Sequence, residues 1–192
     1  DPALDLYAGQ VQPPYDAAFL QRFAVAQAAR LARIEAWVDE RLATLRAAYG
    51  ASSPAADQVF TVHRTHADPR CLDLRLDAND RALGSVWGDP KTVNASAYAM
   101  GRVSSLTGFL SQWSSRSLAD GPRNLARCTH RVLLLNYTAD QSTFPSTRDA
   151  WMAAAPGRAT SIDIRGGNHY LAGQPALVEQ AADHIAQFAE GL

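Results

Sequence analysis

Between residues 17 and 49 the apolar positions Leu20, Phe23, Leu31, Ile34, Val38, Leu42 and Leu45 fall at steps of three and four and their sums. That spacing gathers them on one side of a helix. Asp16 stands where a helix cap is needed, and Gly50 followed by Ala-Ser-Ser-Pro54 ends the pattern. A leader over 1–14 closes on Pro13-Pro14, which favours extended backbone. So long an amphipathic helix needs a surface to lie on, because tertiary packing supplies most helical stability. Residues 57–99 are instead dense in turn signals: Asp68-Pro69, Asn79-Asp80, Gly84 and Gly88-Asp89-Pro90. Within them only 58–63 reads as a short strand. A second helix is predicted over 97–115, with Met100, Val103, Leu106, Phe109, Leu110 and Trp113 on one side, before Asp120-Gly121-Pro122 breaks the chain.

From Arg131 onward the pattern changes to alternating strand and helix. Residues 131–136 form a short apolar run of the kind buried on both faces of a parallel sheet. A helix follows over 147–155, closed by Pro156-Gly157, then a strand over 160–165. The last helix, 174–189, has Leu177, Val178, Ala181, Ile185 and Phe188 turned inward. Strand–helix–strand–helix predicts an α/β arrangement with parallel pairing. The chain divides into a mainly helical part over 1–122 and the alternating part over 123–192. Two parallel strands do not stand alone, since they leave unpaired edges. The turn-rich middle leaves little room for further strands, so another polypeptide is expected to supply them.

Composition narrows the partners. The net charge is -1 with both signs interspersed, so no basic face exists for a phosphate backbone and nucleic acid is not an expected ligand. No stretch approaches the roughly 18 apolar residues of a membrane span. Lys91 is the only lysine and Ala is abundant, a usage associated with GC-rich bacterial genomes. The first residue is Asp1, so the chain is expected to begin at a processing site or at the edge of a longer polypeptide. Cys71 and Cys128 are too few for a disulfide framework; one bridge stays open beside the reading of two small buried residues. His63, His66 and Asp68 resemble a loose metal cluster, but strand residues three apart point to opposite faces, so no metal is expected. His184 reads as a packing residue, and His130 has no evident partner. Gly166-Gly167 belongs to no phosphate-binding pattern, and no cofactor is expected.

Two loops stand at the C-terminal ends of the predicted strands, where open α/β sheets gather catalytic groups. One, 137–145, carries Asp140; the other, 166–171, carries His169. Parallel strands joined by one helix bring such loops close, so the two side chains can meet. Asp140 with Pro145 behind it, and His169 behind Gly166-Gly167, make residues 132–188 resemble the last two strands and helices of the α/β-hydrolase superfamily. Asn136-Tyr137 stands where that family often has His-Gly. The resemblance implies the C-terminal part of an α/β-hydrolase parallel sheet, preceded by a mainly helical cap or lid. It implies Asp140 as the triad acid and His169 as general base and then acid. The family's chain order of nucleophile, acid and histidine fits.

The nucleophile is missing. No G-x-S-x-G occurs: Gly84-Ser85-Val86-Trp87-Gly88 has its serine displaced, and Gly101-Arg102-Val103-Ser104 lacks the second glycine. Loss of a triad serine lowers turnover on the order of a million-fold, roughly 8 kcal/mol, so the chain alone is expected to be inert. The expectation is a serine hydrolase of ester or related acyl bonds whose nucleophile comes from an upstream segment or companion polypeptide. That companion would be the N-terminal part of the same hydrolase. Amidase, peptidase, C–C hydrolase, dehalogenase and lyase chemistry share the scaffold, and a non-catalytic binding subunit on it is the third alternative. Trp87, Tyr98, Phe109 and Trp113 would either line an apolar substrate pocket or form the lid's own core.

Overall fold

The computed structural model describes residues 11–61, 68–95 and 103–191. They fall into two compact units, one of Asp1–Ala67 with Pro90–Ala119, the other of Asp68–Asp89 with Asp120–Leu192. Asp68–Asp89 thus belongs to the unit of the C-terminal strands. Among the described residues no helix is long and apolar enough to cross a membrane.

In the first unit helix α1 spans Ala17–Tyr49, as its apolar spacing predicts. Asp16 caps it, its carboxylate accepting from the Phe19 amide at 2.6 Å. Gly50, at φ 85°, ends it and donates to the Arg46 carbonyl. Along the apolar stripe, Val38, Leu42 and Leu45 pack with Ala56, Leu106 and Phe109, and Leu31 and Ile34 lie partly buried against the same cluster. Each fully buried side chain of this size contributes about 1.5–3 kcal/mol. Strand β1, Val59–Thr61, pairs antiparallel with β2, Val103–Ser105, Phe60 standing opposite Ser104. A short helix α2, Pro90–Ala95, lies between them in sequence.

Here the predicted helix over 97–115 is corrected. Residues 96–102 lie outside the described residues, 103–105 are strand, and only Leu106–Gln112 (α3) is helical. The start of α3 is fixed by oxygen acceptors at its open amides. The Ser105 hydroxyl accepts from the Gly108 N–H, and the Asp57 carboxylate accepts from both the backbone and the hydroxyl of Thr107. Burial opposes the charge on Asp57. The hydrogen bonds from Thr107, helped by Ser105 and Leu106, outweigh it and hold the carboxyl below its ordinary value. Pairing with β1 then satisfies backbone groups that a longer helix would have used itself, and Val103 ends up exposed rather than on a helical face.

In the second unit α4, Gly121–Leu125, precedes strand β3, Val132–Tyr137. Helix α5, Pro145–Ala154, leads to β4, Ala159–Ile164, and α6, Pro175–Glu190, follows. Pro145 begins α5 two residues before the predicted start, in the first-turn position where its missing N–H is harmless. Gly121 lets the Trp151 ring approach α4, where a Cβ would lie 2.0 Å from its Cζ2. β3 and β4 are parallel, in register from Val132 opposite Ala159 to Tyr137 opposite Ile164. Leu177 and Ala181 of α6 pack against Leu135, Tyr137 and Ile164. Val178 and Ile185, predicted inward, are exposed; the covered side of α6 runs through half-buried Leu177, buried Ala181 and half-buried His184 and Phe188. Among the described residues this sheet has two strands, and the short β1–β2 pair is a separate sheet in the other unit.

Candidate active site at the ends of two parallel strands

Asp140 and His169 come together. The Nδ1 atom of His169 lies 2.9 and 3.0 Å from the two carboxylate oxygens of Asp140, across 29 residues of sequence. Asp140 is buried, at 4 % exposure, whereas the His169 side chain keeps 30 %. A carboxylate only accepts, so Nδ1 is the donor in this contact, and in the neutral imidazole so oriented the lone pair is on Nε2. Among the described residues nothing is hydrogen-bonded to Nε2. A pair so arranged can take a proton at Nε2 and stabilise the resulting imidazolium through the acid.

Backbone geometry at both strand ends aims the two side chains. Beyond β3 the chain turns through Thr138 and Ala139, and Asp140 Oδ1 accepts from the amides of Ser142 and Thr143 at 2.6 and 3.0 Å. These local bonds hold the carboxylate independently of the imidazole. Beyond β4, Gly166 adopts φ 72°, a conformation that favours glycine. Gly167 is needed for a different reason: a Cβ there would sit 3.1 Å from the Ile164 carbonyl and 3.0 Å from the Leu171 side chain. The glycine pair therefore serves the turn. Asn168 closes the His169 loop, its side chain bonded to both the amide and the carbonyl of Ala172, while Gln174 bridges Asn168 and Gly166. The two loops are joined directly by the Ala139 amide on the Gly167 carbonyl at 3.0 Å and by the Gly166 amide on the Thr138 hydroxyl at 2.9 Å.

A second support, the segment 79–82, has no local signal in the amino-acid order. Asn79 Nδ2 donates to the Asp140 carbonyl at 2.9 Å, the Asp80 amide donates to the Thr138 carbonyl at 2.8 Å, and Gln141 reaches the Ala82 carbonyl. Arg81 holds this segment from beneath. Its buried guanidinium donates to the carbonyls of Arg70, Asp73, Leu76 and Asp77 and to Asn79 Oδ1. Burial lowers its affinity for the proton below the ordinary value for arginine. Phe144, in the acid-bearing loop, lies under both guanidiniums, with the Arg70 and Arg81 carbons 4.0 and 4.9 Å from its centroid. Asn79-Asp80 reads in sequence only as a turn, and nothing local to it points to a partner about 60 residues away.

The remaining candidates separate. Ser85 is buried, and its hydroxyl donates to the Gly88 carbonyl at 2.9 Å and accepts from the Trp87 amide, so it is committed to a turn. Phe109 belongs to the core of the first unit, while Trp87 stands beside Tyr170 in the second; Tyr98 lies outside the described residues. So do His63 and His66, and Asp68 is engaged by the Arg70 guanidinium and amide. Cys71 and Cys128 are both free thiols, the first buried. No family model, curated protein or solved structure matches this chain.

Proposed function

We propose that Asp140 and His169 are the acid and base of an α/β-hydrolase-type triad, and that the chain belongs to a hydrolase of ester or related acyl bonds. The observation that carries this reading is the carboxylate–imidazole pair at 2.9 Å on adjacent loops at the C-terminal ends of two parallel strands. In the reaction the nucleophile's hydroxyl would lie at Nε2 and pass its proton there as it attacks the acyl carbon. Asp140 stabilises the imidazolium, which then returns the proton to the leaving group.

The nucleophile, and the amides that would receive the oxyanion, are assigned to another segment or a companion polypeptide. Two features favour a companion. Val132–Tyr137 begins with four apolar residues, yet all six of its residues keep partial exposure. A cavity of about 370 Å³ runs beside it, lined by Leu133, Leu134 and Leu135 and by Thr147, Arg148 and Trp151 of α5. A strand apolar on both faces is stable when sheet and helices continue past it.

Hydrolysis of a p-nitrophenyl ester by the complete assembly tests the reading. The His169→Ala variant is expected to lose at least about a thousand-fold in kcat, and this chain alone to match the buffer rate. Equal rates for wild type and variant would end it.

A further inference from the structure

Beside the imidazole the second unit turns two large aromatic side chains to solvent, Trp87 at 53 % and Tyr170 at 61 % exposure. Tyr170 stands edge-on to His169, with ring centroids 4.5 Å apart and planes at 76°. Trp87 meets Tyr170 at 6.3 Å and 62°. The three rings form a continuous row that ends on the candidate base. Apolar surface left uncovered in one place is a mark of a binding site, and aromatic rings gain the most from being covered.

Trp87 is carried on a closed turn. The Ser85 amide donates to the Gly88 carbonyl and the Gly88 amide to the Ser85 carbonyl, both at 2.8 Å. The Ser85 hydroxyl ties Trp87 and Gly88 together from the buried side. Gly84, at φ 105°, enters the turn so close to Gly88 that a Cβ would meet its carbonyl oxygen at 3.2 Å, and its own amide is anchored on the Cys71 carbonyl. Tyr170 sits on the loop that Asn168 closes. The backbone that carries each aromatic is thus held by its own hydrogen bonds, which lowers the ordering cost that binding must meet.

We infer that Trp87 and Tyr170 form an aryl subsite adjoining His169, and that the substrate carries an aromatic ring next to the bond attacked. The inference rests on the reading of Asp140 and His169 as a catalytic pair and adds the class of substrate to it. Rings set at 62° and 76° to one another present edges and faces together, which suits a further ring packed edge-to-face or offset. An alkyl chain gains only area there. A cationic head group is disfavoured, because it would lie against an imidazole that itself becomes positive in turnover.

Benzyl alcohol and 1-hexanol, neutral and of similar size, test this on the full chain by NMR. Benzyl alcohol is expected to shift the indole N–H of Trp87 and the ring signals of His169 saturably, and to leave the indole N–H of Trp37 in the first unit unmoved. Hexanol should bind about three- to tenfold more weakly. Trp87→Ala should weaken benzyl alcohol by a similar factor and Trp87→Phe restore most of it; Tyr170→Ser carries the same expectation should Trp87→Ala fail to fold. Equal affinity for the two alcohols, or an unchanged affinity in the alanine variant, would overturn the subsite. So would a Trp87 signal that answers only to a companion chain. Imidazole nitrogen shifts in the same spectra judge the catalytic pair separately: a mixture of tautomers at His169 would remove the catalytic reading while an aryl response stood.

Discussion

Asp140 is supported from three directions, and the supports differ in how they act. The amides of Ser142 and Thr143 hold its carboxylate, His169 takes the same group from the front, and Asn79 holds its carbonyl from a segment 61 residues away. Replacing Asn79 by Ala removes one donor and leaves the Arg81 guanidinium without its Asn79 acceptor. The expected cost is about 1–2 kcal/mol in urea unfolding, with the helical and strand signals intact. Cys71 offers a second test at this scale. Burial pushes its thiol up to about 11, with nearby Asp68 adding to the effect, whereas Cys128 is only half-buried. Iodoacetamide at pH 8 is expected to label Cys128 and spare Cys71 until the chain is unfolded, because only the thiolate reacts. Rapid labelling of both in the native chain would contradict that burial.

At the level of elements, α1, α3 and β1 meet at one aromatic ring. Phe109 is 2 % exposed and packs edge-on against Phe60 at 5.8 Å, which in turn lies 5.1 Å from Trp37 on α1. Phe109→Ala should therefore cost about 3–5 kcal/mol in thermal or denaturant unfolding, and Phe109→Leu distinctly less. How far such elements can be read beforehand depends on what ends them. α1 was legible at both ends because Asp16 and Gly50 act on their own neighbours. The stretch around α3 was misread because apolar spacing alone ran through Ser104-Ser105, while the deciding contacts came from Asp57 and from pairing with β1. On α6 the spacing admitted two stripes, and only the sheet chose the one through Leu177 and Ala181 over Val178 and Ile185.

For the molecule as a whole, each unit carries a carboxyl whose ionisation contributes to that unit's own stability. Asp57 in the first unit and Asp77 in the second both have carboxyls held below the ordinary value of 3.8. At Asp77 burial again pulls upward, and the hydroxyl and amide of Ser146, followed by Arg70, prevail over it. A depressed carboxyl contributes stability that is present above its unfolded value and lost as pH falls through its folded one. Both units should therefore weaken in the same window below about pH 4, read by circular dichroism during acid titration. Asp57→Asn and Asp77→Asn should each flatten the acid limb, and an unchanged limb would deny that carboxyl's contribution. In the proposed assembly the companion's strand would cover the free edge of β3, which makes co-purification of a second polypeptide the molecular-scale counterpart of the missing nucleophile.

The amino-acid order by itself determined what local chemistry can enforce: the capped ends of α1, the alternation that yields β3, α5, β4 and α6, and the two strand-end loops in which Asp140 and His169 stand. Periodicity and capping act over a few residues, so they can be read without knowing where the chain goes next. Only the tertiary structure decided that Asp68–Asp89 folds with the C-terminal strands, that Asn79 and Arg81 brace the acid-bearing loop, and that Trp87 arrives beside Tyr170 and His169. Each of those outcomes depends on hydrogen bonds or ring contacts between segments far apart in sequence, and no pattern within either segment specifies its partner.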